Sequence, residues 1–573
     1  MSPKPTSCTA ASLSLLLSLV LFALVPILCA QEATPARHTG FPQDWSQHQI
    51  VFSRDALAAH PEVMNREPRV LHQAMQRWSQ EWNVLRGLEQ AIAPFSGFSP
   101  ASLLDPISIS KKGLGPRRDW NVSLVSARLG PHVFPAKYSF DPAAPPDCVN
   151  DFVVYGLSIP GITNGQTNLV GFNNLYVNSL DGGFCPGTTP NVLFAYNISS
   201  QAVAGKIVTS PILSEDGTKI GFVESGNGTT PFSTFHVLTW TAGQGAISNA
   251  AAPTAMTSLP LSTIANTTTS APWIDFDADT VYVGDDTGIM YKITGVFHGT
   301  PALAGSPWPI TVSTGKHLSP PVLDSTLGRL VVGSQNGDLF EIAVGTGTLI
   351  GPLAIGSGGT TSGIAAPPVV DVTNGTSFVV SPNNGTSAVL AEIDTETFLP
   401  LSIGQIGMGS SGGGGIALHL YEPAFSNDYY NDPSTGVIRL CGTGLTDMSP
   451  WQYAFGFSGR TMNTSSSFSQ QLIPSIDARC TGWTEFFNPN VGLPPGTDYF
   501  FFGLTQDCTG TGTAAGCLAE ITNTNTTPLF VNLPGGPSGI VADNYSSDAE
   551  ASSIYLAAEG VNTAYKFTQN GLQ

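Results

Sequence analysis

Residues 270–293 read SAPWIDFDADTVYVGDDTGIMYKI, and residues 319–342 read SPPVLDSTLGRLVVGSQNGDLFEI. The two align without a gap: Pro272 falls on Pro321, Asp275 on Asp324, Gly284 on Gly333 and Gly288 on Gly337. A third copy, PVVDVTNGTSFVVSPNNGTSAVLAEID, starts at Pro368 and puts Asp371 in the place of Asp324. A spacing of about 50 residues marks an array of supersecondary units. Within the second copy, Pro321–Asp324, Leu330–Gly333 and Leu339–Ile342 are short apolar runs, and Leu349–Ala354 follows as a fourth. Asn336-Gly337 between two of them is a hairpin signal, because glycine takes a positive φ without steric cost. Four antiparallel strands joined by tight turns make one propeller blade.

Looser copies begin near Pro135, Pro211, Pro423, Trp483 and Gly539, which makes about eight units between residues 119 and 573. The expected fold is therefore all-β, a β-propeller of about eight four-stranded blades. The last unit supplies only Gly539–Ala542, Ile554–Ala558 and Ala564–Phe567. Its missing fourth strand is expected from Trp120–Val125 at the other end of the array, which would close the ring and remove its exposed edges. Composition agrees. The chain has 573 residues with 62 Gly and 44 Pro, is 41% hydrophobic and only 11% charged, against a usual charged share of about 25%. Its formal charge of −19 argues against nucleic-acid binding, which needs a basic face.

Residues 1–30 read as a cleaved secretory signal: Lys4, an apolar run from Ala11 to Leu28, then small Ala30 before Gln31. The rival is a retained anchor. Lipidation of Cys29 is disfavoured by Leu28 in front of it, where a small residue is needed. Residues 31–118 are expected to form a small helical N-terminal segment and linker. There Asn65 can cap a helix whose Val70, Ala74, Trp78 and Trp82 recur on one face. Lys111, Lys112, Arg117 and Arg118 form a basic cluster in that linker. The address is thus extracytoplasmic: secreted, periplasmic or at the cell surface, with no membrane span once the signal is removed. Six cysteines remain beyond the signal, and an even count in a secreted chain favours disulfides. Six allow 15 pairings. Pairing sequence neighbours is the simplest: Cys148 with Cys185, Cys441 with Cys480, Cys508 with Cys517.

Chemistry is harder to read. Asp324 and Asp371, with Asp275, end the innermost strands, and Glu485 and Asp543 are looser equivalents. Such a ring of carboxylates at a channel mouth can bind a cation or a basic ligand. The competing reading is that each Asp accepts backbone N–H bonds within its own turn. Asp275, Asp277 and Asp279 stand at alternate positions, as in a calcium loop. Yet Thr280 replaces the glycine expected at the sixth place and Asp286 the glutamate at the twelfth, so calcium is the one cofactor the spacing admits, without requiring it. Gly407–Gly415 lacks the Lys-Ser/Thr of a phosphate loop. Nine Asn-x-Ser/Thr sequons mark surface loops.

The copies at Pro272–Ile293 and Pro321–Gly347 resemble the quinoprotein-type (PQQ-like) repeat, and the likeness is good from Ser270 to about Leu399. The later stretches VIRLCGTG and CTGWTEFFNPN look like a family of uncharacterised secreted bacterial propeller proteins. The resemblance implies the eight-bladed fold, which also serves as a non-enzymatic scaffold. It does not imply the quinone. No two cysteines are adjacent, and no tryptophan follows Thr346-Gly347. The expected function is a non-catalytic binding or scaffold role toward an unidentified protein or glycan at the cell surface or in the periplasm. The alternative is a secreted hydrolase or lyase with its site at the channel mouth, since propellers host both.

Overall fold

The computed structural model describes residues 42–43, 49–59 and 115–569, with short breaks, the longest at 410–421. The signal region, the helix expected around 65–82, Lys111 and Lys112 lie outside the described residues. The remainder is an eight-bladed β-propeller with almost no helix. Taking blades in chain order and strands from the inside outward, blade 1 is Ala136–Ser139, Phe152–Gly156, Leu169–Asn173 and Asn191–Tyr196. Blade 2 runs from Ile212–Leu213 through Lys219–Glu224 and Thr234–Thr239 to Met256–Pro260. Blades 3, 4 and 5 start at Trp273–Asp275, Val322–Asp324 and Val369–Asp371. Blades 6, 7 and 8 start at Ala424–Phe425, Thr484–Asn488 and Val541–Asp543.

The ring closes as the missing strand requires. Arg117–Ser123 pairs antiparallel with Thr563–Thr568 as the outermost strand of blade 8, with Trp120 opposite Lys566 and Val122 opposite Ala564. The closing strand thus starts two residues before the boundary read from sequence. Arg117 belongs to it, bonded to Glu550 at 2.6 Å rather than free in a linker. Trp120 is 1% exposed, donates its indole N–H to the Leu175 carbonyl at 2.9 Å, and lies against the rings of Phe172 and Tyr555. The seam is therefore apolar at its centre. Beside it runs a buried ionic network. Lys566 sits 2.6 Å from Asp119 and 4.0 Å from Glu550, and Asn178 of blade 1 donates to Glu550. Burial pushes the Asp119 carboxyl up to about 7, the Lys566 charge opposing. Burial also works against Glu550, but hydrogen bonds from Asp119, Asn178 and Thr568 and the Lys566 charge outweigh it and hold that group at about 2.

All three neighbour disulfides are formed, Cys148–Cys185, Cys441–Cys480 and Cys508–Cys517, and each stays within one blade or joins two adjacent ones. The N-terminal residues contribute what no repeat announced. Ile50–Phe52 pairs in parallel with Lys137–Ser139 on the channel side of blade 1. Pro42–Gln43 pairs with Val370–Asp371 on the channel side of blade 5. Blades 1 and 5 face each other across a ring of eight, so these two short strands lie on opposite walls of the channel. Ile50, Phe52 and Leu57 are buried in the largest apolar cluster, with Val322 of blade 4, Val370 of blade 5 and Trp120 and Val541 of blade 8. Among the described N-terminal residues the helix is only Arg54–Ala59.

A second regularity lies on the third strands. Lys292, Glu341, Glu392, Glu520 and Lys566 occupy one position, opposite Tyr282, Val331, Phe378, Phe501 and Tyr555. Most reach the next blade. Lys292 donates to the Val344 carbonyl, Glu392 accepts from the Met462 N–H, and Glu520 accepts from Gln569. Burial raises Glu341, Glu392 and Glu520 each to about 7.

Candidate functional site

The inner-strand carboxylates stand where the repeat places them, at the turn leaving each innermost strand, and most are occupied there. Asp324 accepts the N–H groups of Thr326 and Leu327, both at 3.0 Å. Asp371 accepts from Thr373 and Asn374 at 2.9 and 3.1 Å and also from the Tyr429 hydroxyl at 2.7 Å. Asp275 accepts from Ala278. A short side-chain acceptor tied to the backbone two or three residues on is an Asx turn, so the repeated Asp builds its own turn. Burial raises all three carboxyls, and these hydrogen bonds oppose it.

Asp543 differs. Its oxygen lies 2.9 Å from the Lys137 ammonium and accepts from Ser139 at 3.2 Å, across the seam from blade 8 to blade 1. Lys137 is fully buried, with Asp151 at 3.8 Å and the Tyr176 hydroxyl at 3.2 Å. Lys566 flanks the same Tyr176 ring, each ammonium 5.8 Å from its centroid. A desolvated lysine needs such a set of acceptors to stay charged, and the result is a lock between the first and last blades. Sequence reading missed Lys137: a lysine inside AKYS reads as a solvent-facing strand residue.

Glu485 is buried on the inner strand of blade 7, next to Asp498, whose carboxyl burial raises to about 6. Asp498 also accepts from the Asn427 N–H of blade 6. The four mouth residues Asp324, Asp371, Glu485 and Asp543 stand on blades 4, 5, 7 and 8, with Asp324 and Asp371 tied to their own turns and Asp543 to the seam with blade 1.

The Asp275, Asp277, Asp279 triplet divides in the same way. Asp279 turns away and accepts three backbone N–H bonds, from Phe297, His298 and Gly299 at 2.7, 2.9 and 3.2 Å. Among the described residues no group of three or more His, Cys, Asp or Glu side chains is placed to hold a metal ion. Among them, too, no helix is long and apolar enough to cross a membrane.

One surface feature stands apart. The outermost strand of blade 5, Leu399–Met408, is ten residues long and turns Leu399, Leu401 and Ile403 to solvent, 60%, 37% and 41% exposed. Its alternate residues Ser402, Gly404 and Ile406 are buried. A Cβ on Gly404 would meet the Phe455 ring at 2.4 Å, so that face lies flat on blade 6.

No protein-family model matches the chain, and no curated protein does. Solved structures that resemble it do so at low identity. BamB from Moraxella catarrhalis is 11% identical over 78% of this chain and 98% of its own, with a TM-score of 0.40. The computationally designed Ika8 protein is 12% identical over 77% and 98%, with a TM-score of 0.41. A 6-phosphogluconolactonase-like protein from Bacteroides fragilis is 9% identical over 67% and 94%, with a TM-score of 0.36.

Proposed function

We propose that this propeller is an extracytoplasmic binding or scaffold protein that engages a protein partner through the outer strand of blade 5. The observation that carries the reading is the ridge of Leu399, Leu401 and Ile403 on an outermost strand. Three apolar side chains exposed along one outer strand mark an interaction surface, and the edge of such a strand accepts an added strand. The three disulfides and the leader-like residues 1–30 support an oxidising compartment. The alternative, a hydrolase or lyase at the channel mouth, has less support. Asp324 and Asp371 are engaged in their own turns and Asp543 in a seam, and Pro42–Gln43 and Ile50–Phe52 line opposite channel walls.

The test places a photo-crosslinking amino acid at Leu401, and separately at the exposed Leu445 as a control, in the full chain expressed in its own host. A discrete adduct from position 401, absent from 445 and abolished by Leu399→Asp with Ile403→Asp, supports the proposal once the partner rebinds purified protein. No adduct, or equal adducts at both positions, overturns it.

A further inference from the structure

Blade 2 carries a hydrogen-bonded chain that neither the repeat nor the channel explains. The Ser258 hydroxyl lies 2.9 Å from Nδ1 of His236, and Nε2 of His236 lies 3.0 Å from Oε2 of Glu224. The three come from neighbouring strands, with His236 directly opposite Phe222 on one side and Ser258 on the other. His236 and Glu224 are fully buried, whereas Ser258 is exposed. We propose that Ser258 is a nucleophile, with His236 as its general base and Glu224 as the group that orients the base, giving the protein an esterase-type acyl-transfer site on the rim of blade 2. This does not depend on the partner surface of blade 5.

The proton inventory fits these roles. Oε1 of Glu224 accepts the Gly205 N–H at 3.2 Å, which leaves Oε2 to accept from Nε2–H of His236. That fixes the tautomer, and Nδ1 is then an acceptor for the Ser258 hydroxyl proton. The usual serine triad presents Nε2 to the serine; here the ring is used the other way round, with the same acceptor and donor logic. Strand geometry adds a second element. Thr239 bonds to the Ala255 carbonyl and Leu261 to the Ser233 carbonyl, which makes every second pair between them, counted from either end, hydrogen-bonded. His236 and Ser258 are therefore a non-hydrogen-bonded pair, the class in which side chains stand closest. It follows that the Ser258 N–H points away from its neighbour strand. Met256–Pro260 is the last strand of its sheet, so that N–H faces the open edge beside the hydroxyl, where it can stabilise an oxyanion.

The substrate class is a carboxylic ester, whose alkoxide is a better leaving group than the amine anion of an amide and which can reach an open strand edge. Ser258 Oγ bonds to the acyl carbon as its proton passes to Nδ1 of His236. The acyl carbon–alkoxide bond then breaks, and the alkoxide takes that proton. Water then attacks the acyl carbon and gives a proton to Nδ1 of His236; the acyl carbon–Oγ bond breaks, the carboxylic acid leaves, and Oγ takes that proton back to restore the free hydroxyl.

The test uses the full mature chain with an alkyl fluorophosphonate, which phosphonylates an activated serine and expels fluoride, and peptide mapping of the product. Labelling at Ser258, slowed at least about 100-fold in His236→Asn as expected for loss of a general base, supports the proposal. Failure of the folded protein to label at Ser258, or equal labelling in His236→Asn, overturns it. Because His236 is buried, Ser258→Cys provides an independent readout. An alkylation pH profile displaced well below that of an ordinary thiol, near 8.5, supports activation by His236, and an ordinary profile overturns it.

Discussion

Replacing Glu520 by glutamine isolates the cost of one buried carboxylate in this ring. Glu520 sits on the third strand of blade 7, 3% exposed, and its carboxylate accepts from Gln569 beyond the last strand of blade 8. Tyr499, on the neighbouring strand, is the titratable group that faces it, and burial with the Glu520 charge raises that phenol to about 12. Burial lifts Glu520 from 4.5 to about 7, the Gln569 bond opposing. The folded protein therefore keeps a proton that the unfolded chain releases above about 4.5. The stabilisation this gives is fully present below about pH 4.5 and is lost as pH rises through about 7, with a total swing of about 3 kcal/mol. Glutamine keeps the shape and accepts the Gln569 bond through its amide oxygen, but it does not ionise. Glu520→Gln should match the wild type near pH 4.5 and exceed its stability by up to about 3 kcal/mol at pH 8. Denaturant unfolding midpoints at pH 4.5, 6 and 8 measure the gap. A gap that stays constant with pH would refute the reasoning. Glu341→Gln should gain less, because Arg329, bonded to Glu341 at 2.9 Å, loses its charged partner.

Two further outcomes follow from the seam and the staples. Trp120→Ala should cost about 3–5 kcal/mol, the range for a large core aromatic, with the ring-closing strand lost first in hydrogen exchange; a cost under about 1 kcal/mol would mean that the strand does not hold the ring shut. Replacing both cysteines of the 441–480 pair should destabilise by about 4 kcal/mol and of the 508–517 pair by about 3 kcal/mol in the chain-entropy account, because the closed loops span 39 and 9 residues; equal losses measured by thermal unfolding would count against that account.

The architecture was legible because the repeat is carried by residues with strict backbone demands. Gly288 and Gly337 hold φ of 88° and 87° in equivalent hairpins, and Asp324 and Asp371 each tie down the turn that follows. Blades 3, 4 and 5 share those features, so they recur and can be aligned. The closing strand was readable for a complementary reason, since one unit lacked a strand and one apolar stretch was unassigned. The disulfides followed because each neighbour pair falls within a blade or across one seam. By contrast, the strands at Ile50–Phe52 and Pro42–Gln43 belong to no repeat. Three or two residues of pairing leave no periodic trace, and their partners are more than 80 residues and more than 300 residues away.

The candidate chemistry was less legible because its signal runs against the usual pattern for a strand. A charged residue inside an apolar run, as in GIMYKI, DLFEIA or VLAEID, reads as the solvent face. A propeller blade is covered on both faces by its neighbours, so the same alternation buries Glu341, Glu392, Glu520 and Lys566 completely or nearly so. Alternation then separates two buried seams instead of inside from outside. The carboxylates singled out at the strand ends are the ones the turns consume, while Glu341, Glu392 and Glu520, which burial raises to about 7, lie two strands further out. His236 and Glu224 are buried in apolar strands too, but on the blade 1 side of blade 2, and it is the register setting them beside an exposed Ser258 that distinguishes the proposed reactive arrangement from another inter-blade staple.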